Sequence, residues 1–175
     1  MRNVTLYIAT SEDGFIADES GSVDFLNPMH VEGEDYGYGA FLGGIDSVVV
    51  GRKTYQSVLD MGYDYPHTEC EVVVFTRTPR PRAGNLTFLA ESPAERVQAM
   101  KALPGRKGIY CEGGADIAHQ LLAAGLIDEI ILSIAPVKLG RGVELFPGGQ
   151  LPEGWGVRTR QRFESGLVQL HCSRA

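Results

Sequence analysis

Two segments of the chain join a strand-like run to glycine and then to the start of a helical pattern. In the first, the apolar residues 48–50 end at Gly51 and are followed by the basic pair Arg52 and Lys53. If a helix begins there, its first N–H groups lack partners, its dipole favours an anion, and the basic side chains add charge-assisted contacts to phosphate. The segment alone fits equally well a turn glycine beside a solvated basic face, and it lacks the spacing of a P-loop.

The second segment places Gly113 and Gly114 between a strand pattern at residues 108–111 and a helical pattern that begins at Ala115. Adjacent glycines let a diphosphate approach the main chain, where any Cβ would obstruct it. Taken alone, such a pair is ordinary loop geometry. Two such loops at the carboxyl ends of strands in one sheet favour a ligand crevice, because open α/β sheets bind ligands there.

The strands that position these loops follow from runs of apolar and β-branched residues. They are predicted at residues 4–9, 45–50, 72–75, 86–89, 108–111 and 129–135. Continuous apolar strands indicate burial on both faces, as in a sheet that helices cover. Residues 157–163 and 167–172 are joined by only three residues, which predicts an antiparallel hairpin.

Two helices have clear local boundaries in the sequence. One begins with capping-box spacing at Ser92 and proline at its first position, and Pro104–Gly105 is expected to end it. The other is predicted from about Ala115 to Ala124, with Gly125 as its stop. The chain is therefore expected to be an α/β protein with a mixed, mostly parallel sheet flanked by helices, in one domain over residues 1–175.

Composition narrows the classes of function. The net charge of −6 and the lack of a basic run argue against nucleic acid as a partner. No apolar stretch approaches the ~18 residues that a membrane span needs. Cys70, Cys111 and Cys172 are odd in number and far apart, which fits a reducing compartment and predicts a cytoplasmic protein. The four histidines have no metal-site spacing, so no metal is expected.

Several motifs also occur in the order and spacing of a known family. They are Ser11–Glu12–Asp13–Gly14–Phe15–Ile16–Ala17 after the first strand, Gly51–Arg52 with Thr54–Tyr55, Glu112–Gly113–Gly114, Gly125 to Glu129, and Pro136 to Gly142 with Leu145–Phe146. Over nearly its whole length the chain thus resembles the dihydrofolate reductase-like superfamily. The closest branch is the one shared with the reductase domain of bacterial riboflavin biosynthesis.

The resemblance implies an NADPH-dependent oxidoreductase and a place for each part of the cofactor. Ala9, Ile16 and Ala17 would border the nicotinamide. The diphosphate and nearby ribose would be held by Gly51, Arg52, Lys53 and Thr54, the adenosine 2′-phosphate by Thr76 and Arg77, and the rest of the cleft by Gly113, Gly114, Ala115, Asp116 and Ile117. Arg77 suits its role because a guanidinium can bind phosphate bidentately.

The substrate implied by the resemblance is a small heterocyclic or ribosylamino compound, as in 5-amino-6-(5-phosphoribosylamino)uracil reductase. Dihydrofolate reductase proper is the alternative, but the acids Glu69 and Glu71 stand where its arginine for the glutamate tail is expected. Asp24 is the predicted catalytic residue, as a substrate-facing group and a proton donor in competition with water. A helix cap or a solvated acid are its other interpretations.

Two further classes of function stay open at this point. A non-catalytic NADP-binding module would keep Arg52 and the glycine pair but would need no pocket beside the nicotinamide. A structural dimer would need neither, and the C-terminal hairpin, where arginines at 158, 160 and 162 alternate with other residues, offers an edge for it. A homodimer is expected for the reductase as well. Residues 63–67 fit either a wall of the substrate pocket or packing of a surface loop.

Overall fold

The computed structural model describes residues 1–104 and 106–175. Its strands are β1 (Val4–Thr10), β2 (Phe15–Ala17), β3 (Ile45–Gly51), β4 (Glu71–Phe75), β5 (Leu86–Leu89), β6 (Gly108–Gly113), β7 (Glu129–Ile134), β8 (Val143–Glu144), β9 (Trp155–Arg162) and β10 (Val168–Arg174). Its α-helices are α1 (Tyr38–Gly43), α2 (Arg52–Asp60), α3 (Pro93–Lys101) and α4 (Ala115–Ala123). Short 3₁₀ helices cover Asp24–Met29 and Pro147–Gly149.

The strand pairing confirms the predicted α/β fold with a mixed, mostly parallel sheet. Within the described residues the sheet has the strand order β5-β4-β3-β6-β1-β7-β10-β9, and β2 pairs separately with β8. Neighbours from β5 to β1 run parallel, whereas β10 is antiparallel to both β7 and β9. The predicted C-terminal hairpin is therefore also confirmed.

The chain forms two compact units, the first made of Met1–Leu6 and Phe41–Asp128. Val48, Val49 and Val50 of β3 are fully buried, which explains why this strand has no alternation of polar and apolar residues. Arg2 is also buried, and its guanidinium binds the carboxylate of Asp46. The second unit consists of Tyr7–Ala40 and Glu129–Ala175. One domain over residues 1–175 remains a prediction.

Local sequence explains the boundaries of the two helices, α3 and α4, that were predicted in the first unit. The Ser92 hydroxyl accepts a hydrogen bond from the Glu95 N–H, with proline at the first helical position, and α3 ends at Lys101. Gly105, predicted with Pro104 to end this helix, lies outside the described residues. At the end of α4, Gly125 takes a φ of 69° and Leu126 donates its N–H to the Leu121 carbonyl at 2.9 Å. This is a Schellman ending, which explains the predicted stop.

The second unit contains a small apolar cluster against which part of the segment Asp24–Met29 packs. Met29, Ala135 and Leu167 are its buried members, and the Tyr36 ring packs against the cluster. The Tyr36 hydroxyl donates to the Met29 carbonyl at 2.6 Å, and Gln169, itself buried, donates to the Tyr36 carbonyl at 3.2 Å. These bonds satisfy polar groups that would otherwise be costly to bury.

Candidate functional site

The first predicted phosphate loop, called here the Gly51 loop, has the geometry expected from the sequence. Strand β3 ends at Gly51, and this residue is the N-cap of α2 with an extended backbone (φ −78°, ψ 150°). Glycine offers no side-chain oxygen to the first N–H groups of the helix, which leaves them to an outside acceptor. Arg52 and Lys53 are exposed on the first turn, and Thr54 is half-buried.

The second predicted loop, the Gly113 loop, repeats this arrangement at the end of β6. Gly113 has a φ of 92°, the Gly113–Gly114 peptide bond is cis, and Gly114 is the N-cap of α4. The Ala118 N–H donates to the Gly114 carbonyl at 3.0 Å and thereby begins the helix. Ile117 is buried, whereas Asp116 is exposed and accepts a hydrogen bond from Gln120 at 3.1 Å.

The two loops lie side by side. Strands β3 and β6 are parallel neighbours, and Val50 is in register with Gly113. A Cβ placed on Gly51 would lie 3.2 Å from Cγ1 of Ile117 and 3.6 Å from the Gly113 carbonyl oxygen. Two helix N-termini, each without a capping side chain, therefore open at one edge of the sheet. This is a fit for a diphosphate, because both dipoles and both sets of N–H groups favour an anion there.

The next strand of the sheet brings the predicted 2′-phosphate residues to the same edge. Phe75 at the end of β4 is in register with Gly51, and Thr76 and Arg77 follow it. The Thr76 N–H donates to the Leu89 carbonyl at 2.8 Å, while its hydroxyl accepts from the Thr78 N–H at 3.1 Å. Thr76 is thus held by its own turn, and Arg77 is exposed.

The second unit holds the residues predicted to border the nicotinamide. Ala9 lies in β1, and Ile16 and Ala17 lie in β2. Ala9 and Ile16 are half-buried, and Ala17 is buried. These placements are consistent with an apolar lining in this unit, and the cofactor roles of all these residues remain predictions.

The turn between β1 and β2 is held in place by the side chain of Asp13. The carboxylate accepts hydrogen bonds from the N–H groups of Leu139 at 3.1 Å and Gly140 at 2.7 Å, and from the Ser11 hydroxyl at 2.6 Å. Partial burial acts to raise the pKa of Asp13, but these hydrogen bonds outweigh it and lower the pKa to about 2. These hydrogen bonds anchor the turn to residues 139 and 140.

Asp24, the predicted catalytic residue, is the first residue of the 3₁₀ helix Asp24–Met29. Its side chain is exposed, and its N–H donates to the Ser22 hydroxyl at 3.1 Å. An acid in the first turn of a helix is stabilised by the dipole. The N-cap is Val23 and no side chain caps this helix, so Asp24 is not a helix cap. The exposed position fits the predicted substrate-facing role and also a solvated acid, so the catalytic role remains a prediction.

The sequence motifs do not indicate one cluster of polar side chains in the first unit. Tyr65 donates its hydroxyl proton to the Glu112 carboxylate, and the His67 Nε2 lies 3.7 Å from the same oxygen. Tyr65 and His67 are buried, although Tyr63 beside them is 68% exposed. Residues 63–67 were predicted to form either a pocket wall or a packed surface loop. In the sequence, Glu112 is marked only by the Glu112–Gly113–Gly114 motif.

The sequence of the chain matches the family model described as the RibD C-terminal domain over residues 2–168. The chain belongs to the RibD C-terminal domain family. Among its relatives are two uncharacterized proteins of Bacillus subtilis, YwjB (35% identical, covering 99% of each chain) and YyaP (32% identical, covering 97% of this chain and 93% of YyaP). The riboflavin biosynthesis protein RibD of Mycobacterium tuberculosis is 29% identical over 79% of this chain and 43% of its own length.

Solved structures agree with membership of the RibD C-terminal domain family. A protein of Shewanella sp. PV-4 with a riboflavin biosynthesis name superposes with a TM-score of 0.84 at 28% identity, covering 99% of both chains. A deaminase and 5-amino-6-(5-phosphoribosylamino)uracil reductase from Thermotoga maritima gives a TM-score of 0.71 at 15% identity, over 99% of this chain and 57% of that one. The second match establishes the fold alone. The resemblance to the dihydrofolate reductase-like superfamily is thus confirmed.

The RibD-type first unit also has an open depression of about 870 Å³ at the other end of β3, around Ile45. His67, Cys70 and Arg106 contribute to its lining. The depression lies at the amino end of β3, whereas the Gly51 and Gly113 loops follow the carboxyl ends of their strands. Open parallel sheets bind ligands at the carboxyl ends of their strands. Two charged residues of its lining, Arg106 and Asp46, pair with each other at 3.3 Å.

Other features of this RibD family member bear on its chemistry. Cys70, Cys111 and Cys172 are buried free thiols. Burial raises the pKa of all three, that of Cys111 to about 12. Among residues 1–104 and 106–175, no group of three His, Cys, Asp or Glu side chains is arranged to hold a metal ion. In the same residues no helix has the length and apolar character to cross a membrane.

Proposed function

We propose that the chain is an NADPH-dependent reductase whose reaction resembles that of 5-amino-6-(5-phosphoribosylamino)uracil reductase in riboflavin biosynthesis. The observation that carries this proposal is the contact between the Gly51 and Gly113 loops, which brings two uncapped helix N-termini to one edge of the sheet. Membership of the RibD C-terminal domain family supports it. The Mycobacterium tuberculosis relative, a riboflavin biosynthesis protein by name, supports the choice of substrate class.

In this proposal the first unit binds the phosphates of NADPH. The main-chain N–H groups that follow Gly51 and Gly114 hold the diphosphate, and Arg52 and Lys53 add positive charge. Arg77 binds the 2′-phosphate, which makes it the residue that distinguishes NADPH from NADH. Asp116 is the one acid in the first turn of α4, and its hydrogen bond to Gln120 directs its carboxylate along the helix surface.

Ala9, Ile16 and Ala17 border the nicotinamide in this proposal. When bound, NADPH supplies a hydride to an electrophilic carbon of a C=N or C=O group. The chain's own task is to orient donor and acceptor, which can account for several kcal/mol of the barrier, and to deliver a proton from Asp24 or from water. The Asp13 hydrogen bonds to residues 139 and 140 support this task, because they hold the turn before Ile16 in place.

The test is a titration of the protein with NADPH and NADH, followed by assays of NADPH oxidation. Tighter binding of NADPH, with oxidation in the presence of the ribosylaminopyrimidine substrate, is expected. Equal and weak binding of both cofactors would contradict the assignment. Tight NADPH binding without turnover of any pyrimidine or of dihydrofolate would instead indicate a binding module. Turnover of dihydrofolate alone would contradict the inference drawn from the exposed Glu69 and Glu71.

We further propose that the protein is cytoplasmic and forms a homodimer. Three buried free thiols support a reducing compartment. Strand β9 stands at one end of the strand order, and its residues from Val157 to Arg162 are exposed, which supports pairing with a second copy. Antiparallel self-pairing centred on Arg160 would oppose arginines of the two chains, so a dimer through β9 should strengthen as salt is added. Sedimentation at low and high ionic strength tests this.

A further inference from the structure

Tyr65 is the side chain that joins the supports of the two glycine loops in the first unit. Its ring packs against Tyr55 of α2, with centroids 5.1 Å apart, and its hydroxyl donates to Glu112 of β6. Tyr55 lies in the helix that Gly51 begins, and Glu112 directly precedes Gly113. One buried residue therefore contacts both elements whose ends form the proposed phosphate site.

Glu112 is held from a defined side of the sheet. Side chains alternate along a strand, so Glu112 shares its face of β6 with Tyr110. The Tyr110 ring packs edge-on against His67 at 5.6 Å, and His67 lies beside the Glu112 carboxylate. The carboxylate is only 15% exposed, so its hydrogen bond from Tyr65 is a charge-assisted contact with limited competition from water. This contact fixes the residue before the Gly113 loop.

The segment that carries Tyr65 is anchored independently of any ligand. The Asn85 amide donates to the carbonyls of His67 and Cys70, both at 2.8 Å. The ring of Tyr65 lies 5.4 Å from that of His67. The Tyr65 side chain is therefore pre-organised, and it can hold the Glu112 carboxylate in place at little entropic cost.

The other partner, Tyr55, is fixed in turn. Arg80 donates to the Tyr55 hydroxyl at 3.2 Å, and its guanidinium lies 3.9 Å from the centroid of the Phe88 ring. Tyr55 is in the first turn of α2 and is 5% exposed. Its packing therefore constrains the direction of the N–H groups that open at the Gly51 loop.

We propose that Tyr65 is a positioning residue for the cofactor site and sets the affinity for NADPH by holding Glu112 and α2 in fixed relation. The glycines of the two loops have no side chains that could make anchoring contacts, so the distance between the loops is set by the neighbouring elements α2 and β6. This inference rests on the proposed function. It assigns to Tyr65 the role of support behind the loops, in place of a wall around the substrate.

The experiment is to replace Tyr65 by Phe, which keeps the ring and removes only the hydroxyl. Loss of the charge-assisted contact to Glu112 is expected to weaken NADPH binding about tenfold, with kcat at saturating NADPH unchanged. Tyr63→Phe is the matched control, since Tyr63 is exposed in the same segment, and it should leave the affinity unchanged. Glu112→Gln keeps an acceptor oxygen for the Tyr65 hydroxyl, so it should lose less NADPH affinity than Tyr65→Phe does.

A readout that needs no cofactor separates failure of this inference from failure of the proposed function. Amide hydrogen exchange of residues 112–118 should be faster in Tyr65→Phe than in the unsubstituted protein, and unchanged in Tyr63→Phe. If the unsubstituted protein does not bind NADPH but the exchange result holds, the function is wrong and the positioning is right. If Tyr65→Phe lowers thermal stability while both NADPH affinity and exchange at 112–118 stay the same, the positioning role is overturned.

Discussion

The carboxylate of Asp13 accepts the main-chain N–H of Gly140 at 2.7 Å, across 127 positions of the sequence. A second bond, from the N–H of Leu139, reaches the other carboxylate oxygen at 3.1 Å. The motif around Asp13 and the motif from Pro136 to Gly142 are therefore two halves of one hydrogen-bonded structure. The two motifs depend on each other physically, because the Asp13 carboxylate in one provides hydrogen-bond acceptors for main-chain N–H groups in the other.

Replacing Asp13 by Asn should weaken this structure and change its response to acid. The amide has one acceptor oxygen where the carboxylate has two, so the free energy of unfolding should fall by about 1 kcal/mol after allowance for solvent screening. The pKa of Asp13 is lowered on folding, so its contribution is present above the ordinary value of 3.8 and is lost as pH falls to about 2.

Urea unfolding at neutral pH and at steps down to about pH 2 measures both effects. The stability difference between the two proteins should shrink over this range of pH. Asp64→Asn, at an exposed acid of the first unit, is the control and should change neither quantity. A difference that persists undiminished at the lowest pH would contradict the assignment of the effect to the ionised carboxylate.

Gly142→Ala should be among the most damaging substitutions in the chain. Gly142 has a φ of 151°, and a Cβ there would overlap the Ala17 carbonyl oxygen and lie 3.0 Å from Cα of Asp18. Both are backbone atoms that cannot turn aside, so a loss of more than about 3 kcal/mol is expected. Gly140→Ala is the comparison, because Gly140 also has a positive φ, of 78°, but open space around it, and should lose only about 1 kcal/mol. Equal losses in urea unfolding would refute the steric explanation.

Elements whose determinants are local were predictable from the sequence. Ser92 and the proline after it specify the start of α3, and Gly125 specifies the end of α4 through its positive φ. Strand ends were less well predicted, because pairing sets them. Strand β6 runs to Gly113, two residues past the predicted end, since β3 alongside it provides partners up to Val50.

Contacts between distant segments could not be read from the sequence. Tyr65 and Glu112 are 47 positions apart, and neither residue type signals the other. Asp128 lies in the motif from Gly125 to Glu129, which does not reveal that it accepts the Val4 N–H at 2.8 Å and pairs with Lys101. The placement of both glycine loops at the same edge of the sheet was predictable, because parallel strands have their carboxyl ends at one edge. The side chains behind those loops depend on tertiary packing that the motifs do not encode.

Arg77→Ala should remove the preference for NADPH over NADH. A guanidinium paired with a 2′-phosphate contributes through charge-assisted hydrogen bonds, so NADPH affinity should fall by about 10- to 100-fold while NADH affinity stays the same. Arg82→Ala is the matched control, because Arg82 is another exposed arginine after β4 and donates to the Gly84 carbonyl at 2.9 Å. Parallel titrations with both cofactors provide the measurement. A loss of preference in Arg82→Ala, with none in Arg77→Ala, would move the 2′-phosphate site.

The three cysteines should not react rapidly with thiol reagents in the folded protein. Only a thiolate reacts rapidly, and burial raises the pKa of Cys111 to about 12, so this group stays protonated in mildly alkaline buffer. Cys70 and Cys172 are also buried, with raised pKa values of the same cause. A colorimetric disulfide reagent should detect no fast-reacting thiol in the native state and three per chain in guanidinium chloride. Rapid reaction of one native thiol would show that its surroundings open to solvent, and labelling followed by peptide mapping would identify which cysteine is exposed.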